Sequence, residues 1–227
     1  MSRAVFITAT DTGAGKTWVT AAAIRQLLAD GVSARALKPV VCGLDSAGYN
    51  EDVQALLDAQ QMSHPADISL YRFALPAAPS QAAAAEGLEL DPEALLSWCT
   101  AMRQDVDVCL IEGVGGLMVP LTDRWLVCDW IAAMHDCEIW LVVGCRLGAM
   151  NHTLLTLEKL KGLGRPPTRL IFNAVTPADE RWLQPISQAI APFIPAGCDI
   201  ELLRYGVELS CFSFDVTRGF NSQVQLQ

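Results

Sequence analysis

Gly15, Lys16 and Thr17 stand in direct succession behind the short apolar run Ala4–Thr8. A glycine, a lysine and a hydroxyl in that order end the phosphate-loop pattern G-x-x-x-x-G-K-[ST]. The chemistry is anion binding. Backbone N–H groups of the loop and the N-terminus of the following helix attract phosphate. Gly13 and Gly15 let the backbone approach closely. Lys16 brings a compact positive charge to the terminal phosphates, and the Thr17 hydroxyl can ligate Mg²⁺. Thr10 holds the place of the pattern's first glycine. Another small residue serves there if the turn geometry permits.

Four more residues have types and places that could do chemistry. Lys38 lies in "ALKPVV", and a lysine inside an apolar stretch is costly to bury unpaired. The plain alternative is a packed stem with a solvated ammonium. Glu112 ends the apolar run "VDVCLIE", the place of the acid that binds Mg²⁺, directly or through water, in phosphate-loop enzymes. Gly113, Gly115 and Gly116 then offer a turn with free N–H groups. Asp52, beside Glu51, sits in the acidic start of "NEDVQALLDAQ"; either carboxylate suits a helix N-terminus. Asn173 ends "TRLIFN", where a simple turn former would also serve. Asn151 and His152 read as the cap of a helix start. His64 and His135 belong to no cluster.

These residues need a scaffold that gathers them. "AVFIT", "ARALKPV", "VDVCLIEG", "EIWLVVG" and "TRLIFNAV" read as strands apolar on both faces. Between them run helices: Thr17 onward to a stop at Gly31, "NEDVQALLDAQ", "DPEALLSWCTAMRQ" with Asp91 as N-cap and Pro92 at its first position, and "NHTLLTLEKLKGLG". This alternation predicts an α/β fold, a P-loop NTPase-like, mostly parallel sheet with helices on both faces. Ligands bind beyond the C-terminal strand ends of such sheets. The 10–17 loop, Lys38, Glu112 and Asn173 all fall there. Residues 1–227 are expected to form one domain, with one more strand within "FIPAGCDIELLRYG" and a loose C-terminal segment from about 206 to 227.

Composition narrows the function. The 227 residues carry a net charge of −9 without a basic block, which argues against nucleic-acid binding. No apolar run reaches the roughly 18 residues of a membrane span. Met1-Ser2-Arg3 opens no secretory signal, so the expected compartment is cytoplasmic. The eight cysteines are scattered without C-x-x-C spacing and read as reduced thiols.

"TDTGAGKT", "KPV", "EGVGG", "RLGAMNH" and "NAVTP" occur in this order between residues 4 and 177. Together they resemble dethiobiotin synthetase, the ATP-dependent ligase of biotin biosynthesis. The resemblance implies ring closure of 7,8-diaminopelargonic acid with CO₂ and ATP, giving dethiobiotin, ADP and phosphate. It implies Mg²⁺, ATP as co-substrate and a homodimer. It makes Lys16 and Lys38 catalytic, and Thr17, Asp52 and Glu112 the metal's holders. Nucleotide contacts would come from Gly13, Ala14, Gly15, Lys16, Thr17 and Trp18, from Asp52, Glu112, Gly113, Val114 and Gly115, and from Asn173 at the adenine edge. Substrate contacts would come from Thr12, Lys38, Cys42 and Asn151, the last across a dimer interface. The chain departs from the family at Gly13, often acidic there, at Cys42 in place of serine, at Ser80 in place of a frequent histidine, and at Ala174 in place of Asp. The family's late loop that helps hold the base is not recognisable.

Other readings compete. A related amide-forming synthetase of cobalamin biosynthesis shares the start of the chain, but its fused glutamine-hydrolysing domain has no room in this length. A nucleotide-switch ATPase of the chromosome- or septum-partitioning type carries a lysine where Asp11 stands. A GTPase switch wants N-K-x-D where "NAVT" stands. A non-catalytic binding module is the remaining alternative.

Overall fold

The computed structural model describes residues 2–206. Cys211 and the rest of the expected C-terminal segment lie outside the described residues. In chain order the main elements are β1 (Arg3–Ala9), α1 (Lys16–Ala29), β2 (Ala34–Leu37), β3 (Val40–Cys42), α2 (Glu51–Ala59), β4 (Tyr71–Phe73), α3 (Pro79–Ala85) and α4 (Pro92–Met102). Then follow β5 (Val108–Glu112), α5 (Val127–Ala133), β6 (Cys137–Gly144), α6 (Ala149–Gly162), β7 (Arg169–Asn173), α7 (Glu180–Ile190) and β8 (Asp199–Leu203).

Six strands form one parallel sheet in the order β2-β5-β1-β6-β7-β8. The middle strands β1, β5 and β6 are buried almost throughout, as strands covered by helices on both faces must be. The register aligns the polar strand ends. Ile7 of β1 pairs with Glu112 of β5, and Gly144 of β6 pairs with Asn173 of β7. The strand ends that bear Glu112 and Asn173 therefore share one edge of the sheet, beside the loop that leaves β1. No helix among the described residues is long and apolar enough to cross a membrane.

The core beneath this edge centres on Phe6, which meets Trp130 of α5 edge-to-face at a centroid distance of 4.8 Å. Both residues are fully buried. Phe6→Ala is expected to cost about 3–5 kcal/mol of unfolding free energy. A urea titration against wild type checks this, with the midpoint falling and the slope unchanged.

The structure corrects the expected strand "ARALKPV". β2 ends at Leu37, and the chain crosses to a second, two-stranded parallel sheet of β3 and β4. Proline causes the break, because it has no N–H to give a ladder. The Lys38 N–H goes instead to the Ile68 carbonyl, and the Pro39 carbonyl accepts from Leu70 and Tyr71. Lys38 thus lies at a break between sheets, which lets its side chain cross to the neighbouring strand end. A second correction concerns α6. It begins at Ala149 behind Gly148, whose φ of 91° needs no side chain, so Asn151 lies inside the first turn and is not the N-cap. The strand expected within 193–206 is β8. The described cysteines are all free. Burial pushes the thiols of Cys109, Cys137 and Cys145 up to about 12, so they stay protonated at neutral pH.

Candidate active site

The loop between β1 and α1 is shaped by two glycines. Gly13 has φ +71° and Gly15 has φ +89°, both in the left-handed region. Thr10 needs no such conformation: among the described residues Gln61 is the only non-glycine at positive φ. The Thr10 N–H continues the sheet ladder to the Val142 carbonyl at 3.0 Å. Here a threonine can replace the pattern's first glycine because the backbone needs no left-handed conformation and its N–H still finds the neighbouring strand.

Asn173 fastens the loop from beneath. Its side-chain amide donates to the Ala14 carbonyl at 2.9 Å, and a Cβ on Gly15 would lie 2.1 Å from that same nitrogen. A Cβ on Gly144 would lie 3.0 Å from the Ala14 Cα. The loop is therefore seated on the ends of β6 and β7. From the other side the turn after β5 closes over it, and a Cβ on Gly116 would sit 3.4 Å from the Thr10 carbonyl.

The charged groups converge above β5. Lys16 Nζ donates to the Gly115 carbonyl at 2.7 Å. Lys38 Nζ donates to Glu112 Oε1 at 2.6 Å, to Asp52 Oδ2 at 2.8 Å and to Thr17 Oγ1 at 3.2 Å. The Thr17 hydroxyl donates to Glu112 Oε1 at 2.7 Å. The Glu112 side chain is fully buried, and its Oε2 has no hydrogen-bond partner among the described residues. Asp52 is about half exposed, with 53 % of its side chain accessible.

These surroundings move the charges in opposite directions. Burial lowers Lys16 from 10.5 to about 8, with Glu112 offsetting part of the effect and Lys38 adding to it. Burial works against the Lys38 ammonium too, but Glu112 and Asp52 outweigh it and hold the group above its ordinary value. Burial likewise works against the charge on Asp52, and Lys38 reverses the balance, keeping the carboxyl below the usual range.

A cleft of about 510 Å³ opens over this cluster. Of the residues singled out in the sequence, Thr12, Gly13, Gly15, Lys16, Thr17, Lys38, Cys42, Asp52, Glu112, Gly113, Val114 and Gly115 line it. Four do not. Ala14 and Asn173 are buried beneath the loop, Trp18 is partly exposed on α1, and Asn151 is exposed on α6. The sequence reading missed the apolar rim formed by Val40, Pro76–Pro79 and Val119. The proline–alanine run "LPAAP" was its only local sign.

The donor set suits a hard cation of modest protein coordination. It comprises one hydroxyl and two carboxylates, one with an unpartnered buried oxygen. Mg²⁺ commonly takes one or two carboxylates and completes its shell with phosphate and water. Among the described residues no three His, Cys, Asp or Glu side chains form a self-sufficient metal cage, so a metal here would need a ligand's oxygens as well.

Residues 3–198 match a family described as an AAA domain. The chain is 39 % identical over 180 residues to the ATP-dependent dethiobiotin synthetase BioD of Aromatoleum aromaticum, covering 78 % of this chain and 80 % of that protein. It is 37 % identical over 179 residues to the protein of the same name from Anaeromyxobacter dehalogenans, covering 78 % and 79 %. Among solved structures it is similar to the cell division protein FtsY of Thermotoga maritima, with 15 % identity and a TM-score of 0.49. That likeness covers 86 % of this chain, which spans about 60 % of the length of FtsY.

Proposed function

We propose, for a chain that belongs to the family of ATP-dependent dethiobiotin synthetases, that this cleft is where it carries out the family's reaction. The protein joins CO₂ to 7,8-diaminopelargonic acid and closes the ureido ring of dethiobiotin, converting ATP to ADP and phosphate. The observation that carries the site assignment is the meeting of Lys16, Lys38, Thr17, Asp52 and Glu112 at one strand edge beside the phosphate loop.

The chemistry asks little covalent work of the protein. One amine of the substrate captures CO₂ as a carbamate. A carbamate oxygen attacks the γ-phosphorus and ADP leaves, giving a carbamic–phosphoric anhydride. The second amine attacks the anhydride's carbonyl, phosphate leaves and the ring closes. Catalysis therefore rests on positioning and on charge stabilisation. Lys16 meets the terminal phosphates while the loop's N–H groups and the N-terminus of α1 cradle them. Lys38 faces the carbamate and the phosphoryl group in transfer. Thr17, Asp52 and Glu112 would hold Mg²⁺, whose contribution when bound is to screen the charge of the phosphoryl group. The rim of Val40, Pro76 and Val119 offers an apolar wall to the substrate's aliphatic chain. Cys42 stands on that wall with its thiol pushed up to about 11, so it contacts the substrate as a neutral, weak hydrogen-bonding group. Asn173 contributes to the nucleotide site by fixing the loop.

The described residues make one α/β domain in this reading, and the working unit is a homodimer. Exposed Leu147, Met150 and Leu155 flank Asn151 at the start of α6; this face would meet the second copy.

A reaction with ¹³C-bicarbonate, ATP, Mg²⁺ and the diamine tests the assignment. Mass spectrometry should find dethiobiotin one mass unit heavy; unlabelled or absent product would overturn it. ATP affinity should also depend on pH. Below pH 8 Lys16 is already charged, so affinity stays flat. Above it Lys16 loses its charge while Lys38 keeps its own, and binding must return a proton to Lys16, so affinity falls. Calorimetry in buffers of different ionisation heat should show near-zero proton uptake at pH 7 and uptake approaching one proton at pH 9.

A further inference from the structure

The three groups assigned to the metal already hold a cation. Glu112 Oε1, Asp52 Oδ2 and Thr17 Oγ1 all lie within 3.2 Å of the Lys38 ammonium. Lys38 is only 6 % exposed. Its charge is what makes the buried Glu112 carboxylate tolerable, since a buried charge without a partner is strongly destabilising. Lys16 shares this task only through space, as a charge that Glu112 and Asp52 feel without a direct bond. Its ammonium is bonded to the Gly115 carbonyl and to neither carboxylate.

We propose that Lys38 is the built-in counter-ion of the nucleotide-free site: its ammonium occupies the donor set of the metal, and loading the site requires Lys38 to release Asp52 and Glu112. This rests on the assignment of Thr17, Asp52 and Glu112 to the metal. The exchange has a physical logic. An ammonium bonded to Glu112 Oε1, Asp52 Oδ2 and Thr17 Oγ1 repels a divalent cation that approaches the same groups, even one that enters through the unpartnered Glu112 Oε2. Without nucleotide, a metal ion must break buried charge-assisted hydrogen bonds and leave an ammonium with no anion to meet. With a triphosphate present, the released ammonium gains anionic oxygens in the same cleft. Metal and nucleotide therefore load together, and Lys38 is freed for the reacting groups only when both have arrived. The lysine thus has two positions, one holding the empty site and one serving the chemistry.

Mn²⁺ is a suitable probe, because the paramagnetic resonance signal of the free ion reports binding without any turnover. Wild type without nucleotide is expected to bind Mn²⁺ weakly. Lys38→Met and Lys38→Gln are expected to bind one Mn²⁺ at least tenfold more tightly than wild type. Millimolar Mn²⁺ should raise the melting temperature of both variants and leave that of wild type unchanged. A variant that unfolds alone but folds with Mn²⁺ would give the same answer, since the ion then replaces the missing counter-ion. Equal or weaker Mn²⁺ binding by the Lys38 variants would overturn the proposal, and so would variants that fail to fold with or without the ion. The metal assignment itself is checked separately, with ADP present, by Glu112→Gln and Asp52→Asn. If these bind Mn²⁺ as tightly as wild type, the assignment fails and the proposal with it. If they lose Mn²⁺ while Lys38→Met gains none, only the counter-ion role fails.

Discussion

Lys16→Met is expected to lower diamine-dependent phosphate release roughly 10²–10³-fold, the usual cost of removing one preorganised group that stabilises developing charge. The same substitution should leave the empty protein at least as stable as wild type. Burial lowers this lysine from 10.5 to about 8. At 1.36 kcal/mol per pKa unit, that difference is on the order of 3 kcal/mol held against the fold at neutral pH. Below pH 8 both folded and unfolded chains carry the proton, and the fold bears the full cost. As pH rises from 8 towards 10.5 the folded site sheds its proton first and the cost disappears. Methionine keeps the stem's packing and removes the charge, so activity and stability should move apart. Thermal melts at pH 7 beside steady-state assays check the pair. A variant that loses stability and activity in parallel would mean that Lys16 holds the fold together.

Gly15→Ala should be the most damaging small change in the loop. An alanine at φ +89° costs about 1–3 kcal/mol in backbone strain alone. Its Cβ would also lie 2.1 Å from the Asn173 amide nitrogen, so the loop or β7 must shift. A displacement of about 1 Å in a site that works by positioning costs on the order of 10²-fold in rate. Gly13→Ala is the control. Gly13 also has positive φ, but nothing lies within 4 Å of the place a Cβ would take there, so only the strain remains. Adding Asn173→Ala to Gly15→Ala should recover part of the lost stability, because it removes the colliding atom. A double variant no better than the sum of its parts would contradict this close packing of loop and strand. Melting temperatures and ATP affinities of the four proteins measure the effect.

Much of this site was legible from residue type and place. Gly15-Lys16-Thr17 behind a strand, a lysine in an apolar stretch and an acid at a strand end each have few physical uses. Parallel topology then brings strand ends to one edge. What the sequence hid was three-dimensional. Glu51 and Asp52 suit a helix start equally well, and only the fold brings Asp52 within 2.8 Å of Lys38. "ARALKPV" reads as one strand because its apolar character is continuous; the break at Pro39 depends on partners near Ile68 and Tyr71, about thirty residues further along. The sheet of β3 and β4 was missed because each strand has only 3 residues and the pairing is non-local. Helix α7 was missed because Pro185 interrupts its pattern. Asn173 was legible as a strand-end polar residue, but its grip on the Ala14 carbonyl is set by the register of β6 and β7.

In the proposed reaction this cleft couples ATP cleavage to the diamine. Phosphate release from Mg·ATP and bicarbonate, measured with and without 7,8-diaminopelargonic acid, tests it most directly. Release should be negligible without the diamine and, with it, should yield one phosphate for each dethiobiotin formed. Phosphate release at the same rate with and without the diamine would mean that the cleft cleaves ATP without coupling it to ring closure.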